Sequence, residues 1–355
     1  MQSIRHLPPL LVRADADTRR GTGHVMRCLA LAQVWQAHGG AVVFISRCDS
    51  AALRERILAS GADLIALAPN DPVEADTEST LIQLAQREAA LLVLDGYHFG
   101  FEQQEMLRVS GHPLLVVDDT AHLDRYRADI LLNQNLGATT LHYRCDPETT
   151  RLLGPAYAML RPEFAHWRRR FRSVRGVARK ILVTLGGSDP SNFTARAIEA
   201  LAQLDTPLLE VRVVVGPANP HLAELKAQAD KFAPRVQLLS PVADMAELMT
   251  WADLAVSANG TTSWELACLG LPALTVIMAE NQRPIAEELD ALEVVQNLGW
   301  HADVSVQRLA SAVDILQYST FRRLRMSERG RTLVDGRGAE RVAQTLFERS
   351  CKRAA

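Results

Sequence analysis

The chain is 355 residues long and 48% hydrophobic, enough for two domains that each bury a core of ordinary size. Lysine and arginine number 39 against 41 aspartates and glutamates, a net charge of −2, so no global positive field draws in nucleic acid or acidic lipid. A small solute is the expected partner class. The five cysteines (Cys28, Cys48, Cys145, Cys268, Cys351) lack the spacing of a zinc pair or redox dithiol, and no apolar run matches a signal peptide or a spanning helix. A cytoplasmic protein with free thiols is the expectation.

Short apolar runs follow one another at the spacing of parallel-sheet units: LLV (10–12), AVVFIS (41–46), DLIAL (63–67), LLVLD (91–95), PLLVVDD (113–119) and DILLN (129–133). Helical patterns lie between them, as in 24–39, where Val25, Leu29, Ala32 and Trp35 recur at three and four residues. Buried strands alternating with helices predict a doubly wound α/β domain over 1–166. The pattern breaks at the basic segment 167–180, read as a solvated linker because no nucleic-acid motif accompanies its arginines. It restarts with KILVTLGG (180–187) and continues through 209–216, 236–239, 253–257 and 272–277, a second such domain over 181–335, followed by a C-terminal helix at 336–355. The expected architecture is two Rossmann-like domains facing across a cleft.

Such sheets bind ligands beyond the carboxyl ends of their strands, in turns whose small residues expose backbone amides. The first turn places Gly21, Gly23 and His24 at the mouth of the first helix. A neutral imidazole there can act as a base, although a helix cap or a partner for a buried carbonyl would also account for it. Met26 occupies the place of the third glycine of a dinucleotide fingerprint, which disfavours a nicotinamide-dependent oxidoreductase. The second turn carries Gly186, Gly187 and Ser188, and an ordinary strand-to-helix turn capped by Ser191 or Asp189 explains it equally well. The third holds Ser257, Asn259, Gly260, Thr261, Thr262 and Ser263 ahead of a helix carrying Glu265. Amides and hydroxyls at that helix start can bind a diphosphate and Glu265 a ribose, or Glu265 simply complements the helix dipole. Asn281 and Gln282 follow a buried strand, where their amides could read a sugar's substituents or form a loop without function.

R-x-D (Arg13, Asp15), G-x-G-H-x-x-R-C (Gly21 to Cys28, including Arg27), LDGY (94–97), DDTAH, LLNQN, GPAYAMLRPEF, LVTLGGSDPSN and SANGTTSWELACLGLPAL with AENQ occur together and in order. This combination closely resembles the nucleotide-sugar hydrolases of pseudaminic acid biosynthesis, which act on UDP-2,4-diacetamido-2,4,6-trideoxy-β-L-altropyranose. That family in turn looks like an offshoot of the GT-B glycosyltransferases. The resemblance implies His24 as the base that activates water, with Asp15 and Tyr97 as further catalytic residues. It also implies Tyr97 and Asn281 near sugar and diphosphate, and the 259–263 turn with Glu265 on the nucleotide. Asn259 departs mildly from the small residue expected there, and asparagine tolerates left-handed backbone.

The expected reaction is metal-independent, cofactor-free hydrolysis of the anomeric C–O bond through an oxocarbenium-like state, with inversion. A GT-B glycosyltransferase is the close rival, since only the acceptor differs. The stretches 50–60 and 101–110 carry no clear apolar run for docking to a lipid-linked acceptor, which favours water. A nucleotide-sugar sensor is a third reading, but it would need no base at position 24.

Overall fold

The computed structural model describes residues 7–17, 21–68, 73–170, 172–187, 189–216, 219–242 and 244–354. The chain forms two compact units, Met1–Pro162 with Arg337–Ala355, and Glu163–Gly336.

In the first unit, β1 (Leu10–Ala14), β2 (Val42–Ser46), β3 (Asp63–Ala66), β4 (Leu91–Asp95), β5 (Leu114–Val117), β6 (Ile130–Asn133) and β7 (Thr150–Leu153) make a parallel sheet in the order β3-β2-β1-β4-β5-β6-β7. Its helices are α1 (Gly23–Ala37), α2 (Ala51–Ala59), α3 (Val73–Ala85) and α4 (Phe101–Val109). Every residue of β1, β2, β4, β5 and β6 is buried, which is why these strands read as continuous apolar runs instead of alternating ones. Val12 of β1 pairs with Phe44 on one side and Val93 on the other. The order reverses between β1 and β4, so the chain leaves their carboxyl ends in opposite directions and opens a crevice there.

The second unit begins with α5 (Pro162–Arg168), whose first residue belongs to the first unit. Strands β8 (Lys180–Thr184), β9 (Glu210–Val214), β10 (Val236–Leu239), β11 (Leu254–Ala258), β12 (Ala273–Ile277) and β13 (Gln296–Trp300) form a parallel sheet ordered β10-β9-β8-β11-β12-β13. Its direction reverses between β8 and β11, beside the second and third turns. The helices are α6 (Phe193–Ala202), α7 (Leu222–Asp230), α8 (Met245–Trp251), α9 (Thr262–Leu269), α10 (Arg283–Ala291), α11 (Val306–Tyr318) and α12 (Thr320–Leu333).

Three features differ from the sequence reading. The basic segment 167–180 is no solvated spacer: Arg172 donates to the carbonyls of Leu269, Ala252 and Met249, and Arg168 to those of Cys268 and Arg331. Most of these carbonyls end α8 and α9, where a cation meets the negative end of the helix. Burial, partly offset by Asp253, lowers the Arg172 guanidinium to about 10. The C-terminal helix α13 (Gly338–Ala354) belongs to the first unit, where Val342 and Leu346 share a core with Leu29 and Trp35 of α1. That cover is why α1 is buried well beyond one amphipathic stripe. Lastly, α4 leaves Met106 52% and Val109 76% exposed, apolar surface that the residue pattern of 101–110 did not single out. Among the described residues, no helix is long and apolar enough to cross a membrane.

Candidate active site

Beyond β1 and β4, at the reversal point of the first sheet, Asp15, His24, Asp95, Gly96, Tyr97 and His98 line a cavity of about 230 Å³. Asp95 closes β4 and is completely buried, so its charge must be met inside the protein. Arg27, one turn beyond His24 on α1, grips it with Nε and Nη2, each at 2.6 Å. His24 Nδ1 lies 2.7 Å from Asp95 Oδ1, and the Cys28 thiol 3.4 Å from Oδ2. Burial opposes ionisation of Asp95, yet Arg27 and His24 together outweigh it and hold the carboxyl well below the usual range.

An ionised carboxylate can only accept, so His24 Nδ1 carries a hydrogen, and in the neutral ring the lone pair lies on Nε2. The neighbouring Arg27 Nη2, 3.2 Å from Nδ1, is already committed to Asp95. Nε2 has no hydrogen-bond partner among the described residues. Neither simple explanation of His24 accounts for this geometry: the N-cap of α1 is Thr22, and Nδ1 meets a carboxylate, not a backbone carbonyl.

Asp119, just beyond β5, accepts both contacts of Arg27 Nη1 (2.9 and 2.8 Å), the Tyr97 hydroxyl (3.0 Å) and Asn135 Nδ2 (3.2 Å). Tyr97 stands edge-on to His24 with ring centroids 5.1 Å apart. One chain of contacts therefore joins His24, Asp95, Arg27, Asp119 and Tyr97.

Asp15 is held differently. It faces both terminal nitrogens of Arg13 and accepts from the Arg47 amide at 2.8 Å. His98 Nε2 lies 3.2 Å from its Oδ2. Burial opposes its ionisation, but His98, Arg13 and the Arg47 amide hold its carboxyl well below the usual range.

The structure therefore gathers Asp15, His24, Arg27 and Tyr97 with the half-buried Gly21 and Gly23 of the same turn. Sequence reasoning missed Asp95, Asp119 and His98. An available signal was the carboxylate at or just past the end of LLVLD and LLVVDD, because a charge closing an all-apolar strand must be paired.

The other candidates lie in the second unit. Gly186, with φ of +89°, makes the left-handed bend after β8, and Gly187 is half-buried beside it. Ser188 lies outside the described residues. Asp189 accepts from the amides of Phe193 (3.0 Å) and Thr194 (2.8 Å), capping α6 as one of the sequence alternatives has it. After β11, Ser257, Asn259 and Ser263 are wholly buried and present no surface to a ligand, and the Asn259 side-chain amide and Ser263 hydroxyl have no hydrogen-bond partner among the described residues. Gly260, Thr261, Thr262 and Glu265 keep partial exposure around the start of α9. Gln282 Oε1 accepts from the Met278 amide at 2.9 Å and so closes its own loop, while Asn281 is exposed.

Two parallel-sheet Rossmann-like units, each with a glycine turn at its reversal point, make a GT-B-like fold. Residues 181–332 match the glycosyltransferase family 28 C-terminal domain. The crystal structure of Acinetobacter baumannii MurG resembles the fold with a TM-score of 0.68, covering 96% of this chain and 100% of that one at 16% identity. Among individual relatives, the spore coat polysaccharide biosynthesis protein SpsG of Bacillus subtilis (strain 168) is 26% identical over 343 residues, 94% of this chain and 97% of SpsG. The UDP-2,4-diacetamido-2,4,6-trideoxy-β-L-altropyranose hydrolase of Campylobacter jejuni is 24% identical over 261 residues, 70% of this chain and 85% of that protein.

Proposed function

We propose that this chain hydrolyses the anomeric C–O bond of a UDP-sugar, UDP-2,4-diacetamido-2,4,6-trideoxy-β-L-altropyranose, to UDP and free sugar with inversion, a step of pseudaminic acid biosynthesis. The observation that carries the reading is the His24–Asp95 pair on the cavity of the first unit, with His24 Nε2 free to take a proton. The similarity to the Campylobacter hydrolase supports the choice of substrate.

In this mechanism water attacks the anomeric carbon as the bond to the diphosphate oxygen breaks, the electron pair leaves on UDP, and the water proton passes to His24 Nε2. The imidazolium that forms lies against Asp95, which also fixes the reactive tautomer. Tyr97, held by Asp119, borders the sugar. UDP is a good leaving group, so dipoles and hydroxyls suffice to stabilise its charge. That task falls to the second unit: the start of α9 with Thr261 and Thr262 for the diphosphate, and Glu265 for the ribose hydroxyls. Asn281 is assigned to the sugar and diphosphate. Neither a metal nor a cofactor is part of the proposal.

A glycosyltransferase acting on a lipid-linked acceptor is the second reading, favoured by the exposed Met106 and Val109 of α4 and by the family 28 match. Incubating the protein with a panel of UDP-sugars and no acceptor separates the two. Release of UDP and free sugar in equal amounts supports hydrolysis, and release only with an added acceptor supports transfer.

A further inference from the structure

The cavity holds a second imidazole paired to its own carboxylate, and the proposed water-activating step does not use it. His98 follows Tyr97 on the loop after β4, and its side chain is 20% exposed. Its Nε2 is buried 3.2 Å from Asp15 Oδ2, a close electrostatic contact outside hydrogen-bond geometry, and Nδ1 has no partner among the described residues. The loop is built to hold this pose: a Cβ on Gly96 would come within 2.9 Å of His98 Cε1 and 3.0 Å of Nδ1 and of the Phe99 ring. The His98 and Phe99 rings lie with centroids 3.9 Å apart.

The charges around the two histidines differ. Near His24 the carboxylates of Asp95 and Asp119 face the single guanidinium of Arg27. Near His98, Arg13 and Arg47 already balance Asp15 and Asp76. The carboxylates beside His24 thus outnumber its guanidinium, whereas those beside His98 are matched. The carboxylate oxygen 3.2 Å away favours, in the neutral ring, the tautomer with its hydrogen on Nε2 and a lone pair on Nδ1.

We propose that His98 is a sugar-positioning residue: Nδ1, with the ring packed on Gly96 and Phe99 and Nε2 turned to Asp15, accepts a hydrogen bond from an amide N–H or a hydroxyl of the sugar. Asp15 then acts through His98 and not on the attacking water. The inference rests on the UDP-sugar reading above. It also assigns a task to a buried carboxylate that Arg13, Arg47 and His98 screen from direct chemistry.

The test pairs kinetics with nitrogen NMR of the intact chain. His98→Phe removes the acceptor and keeps the ring, and should raise KM on the order of tenfold while kcat changes by less than about threefold. His98→Asn returns an acceptor near Nδ1 and should recover most of the KM effect. UDP affinity by calorimetry should be unchanged in both variants. In the wild-type protein the Nδ1 resonance of His98 should be that of an unprotonated nitrogen, and it should move when UDP-2,4-diacetamido-2,4,6-trideoxy-β-L-altropyranose is added but not when UDP is added. A His98→Phe KM within about twofold of wild type overturns the proposal, as does a kcat loss as deep as that of His24→Ala with KM unchanged. If no UDP-sugar is hydrolysed or transferred, the functional reading fails separately, and the resonance alone decides. An Nδ1 signal unmoved by that UDP-sugar and by UDP-N-acetylglucosamine then refutes the positioning role.

Discussion

Asp95→Asn isolates the group that orients the proposed base. The substitution keeps shape but removes the charge on which His24 Nδ1 and both Arg27 contacts converge, at 2.7, 2.6 and 2.6 Å. The asparagine amide can present a donor to His24, which favours the tautomer with its hydrogen on Nε2 and blocks proton uptake there. Turnover should fall by roughly 10²–10⁴. Removing one partner of a buried ion pair costs about 3–5 kcal/mol. Here Asp119 still holds Arg27 and the asparagine oxygen still accepts, so about 2–4 kcal/mol of stability should be lost. The loss depends on pH in a definite direction. Asp95 titrates below its unfolded value, so its contribution is complete above about pH 4 and is lost as pH falls toward its folded pKa. Urea melts of both proteins should therefore differ most near neutrality and converge in acid. UDP release by the folded variant within about tenfold of wild type would refute the orienting role, and equal stability at pH 7 would refute the buried pair.

Two further substitutions divide the labour between the units. His24→Ala should reduce kcat by on the order of 10²–10⁴ while UDP affinity stays within a few fold; parallel loss of both in calorimetry and turnover would make position 24 structural. Glu265→Ala should weaken UDP binding by roughly 1.5–3 kcal/mol, with much of the rate restored at saturating substrate. Unchanged UDP affinity in the folded variant would remove the ribose role.

Much of this fold is legible in the sequence because a parallel strand covered on both faces must be apolar throughout. LLVLD and LLVVDD fall on β4 and β5 nearly residue for residue. The strands without a sequence signal are β7, TRLL, and β13, QNLGW, which lie at sheet edges where polar residues and glycine are tolerated. The helix cover of α1 by α13 joins residues about 300 apart, and no local period reports such a contact. In the site, the turn chemistry pointed to His24, but the carboxylates that complete the network come from other strands: Asp95, paired with His24, from the end of β4, and Asp119, paired with Arg27 and Tyr97, from beyond β5. The complete burial of Ser257, Asn259 and Ser263 was equally invisible, since a run of small polar residues reads alike whether it faces a ligand or the core. The basic segment misled because arginines that bind carbonyls at helix ends look in sequence like a solvated run.

The central claim is that water, activated by His24, attacks the anomeric carbon. Hydrolysis in ¹⁸O-labelled water, with the products separated before the free sugar mutarotates, tests it most directly. The label should appear on the sugar, the first sugar formed should have the anomeric configuration opposite to the substrate, and UDP should stay unlabelled. Label on UDP would place the attack at phosphorus, and retention at the anomeric carbon would require a covalent or double-displacement route; either result contradicts the account.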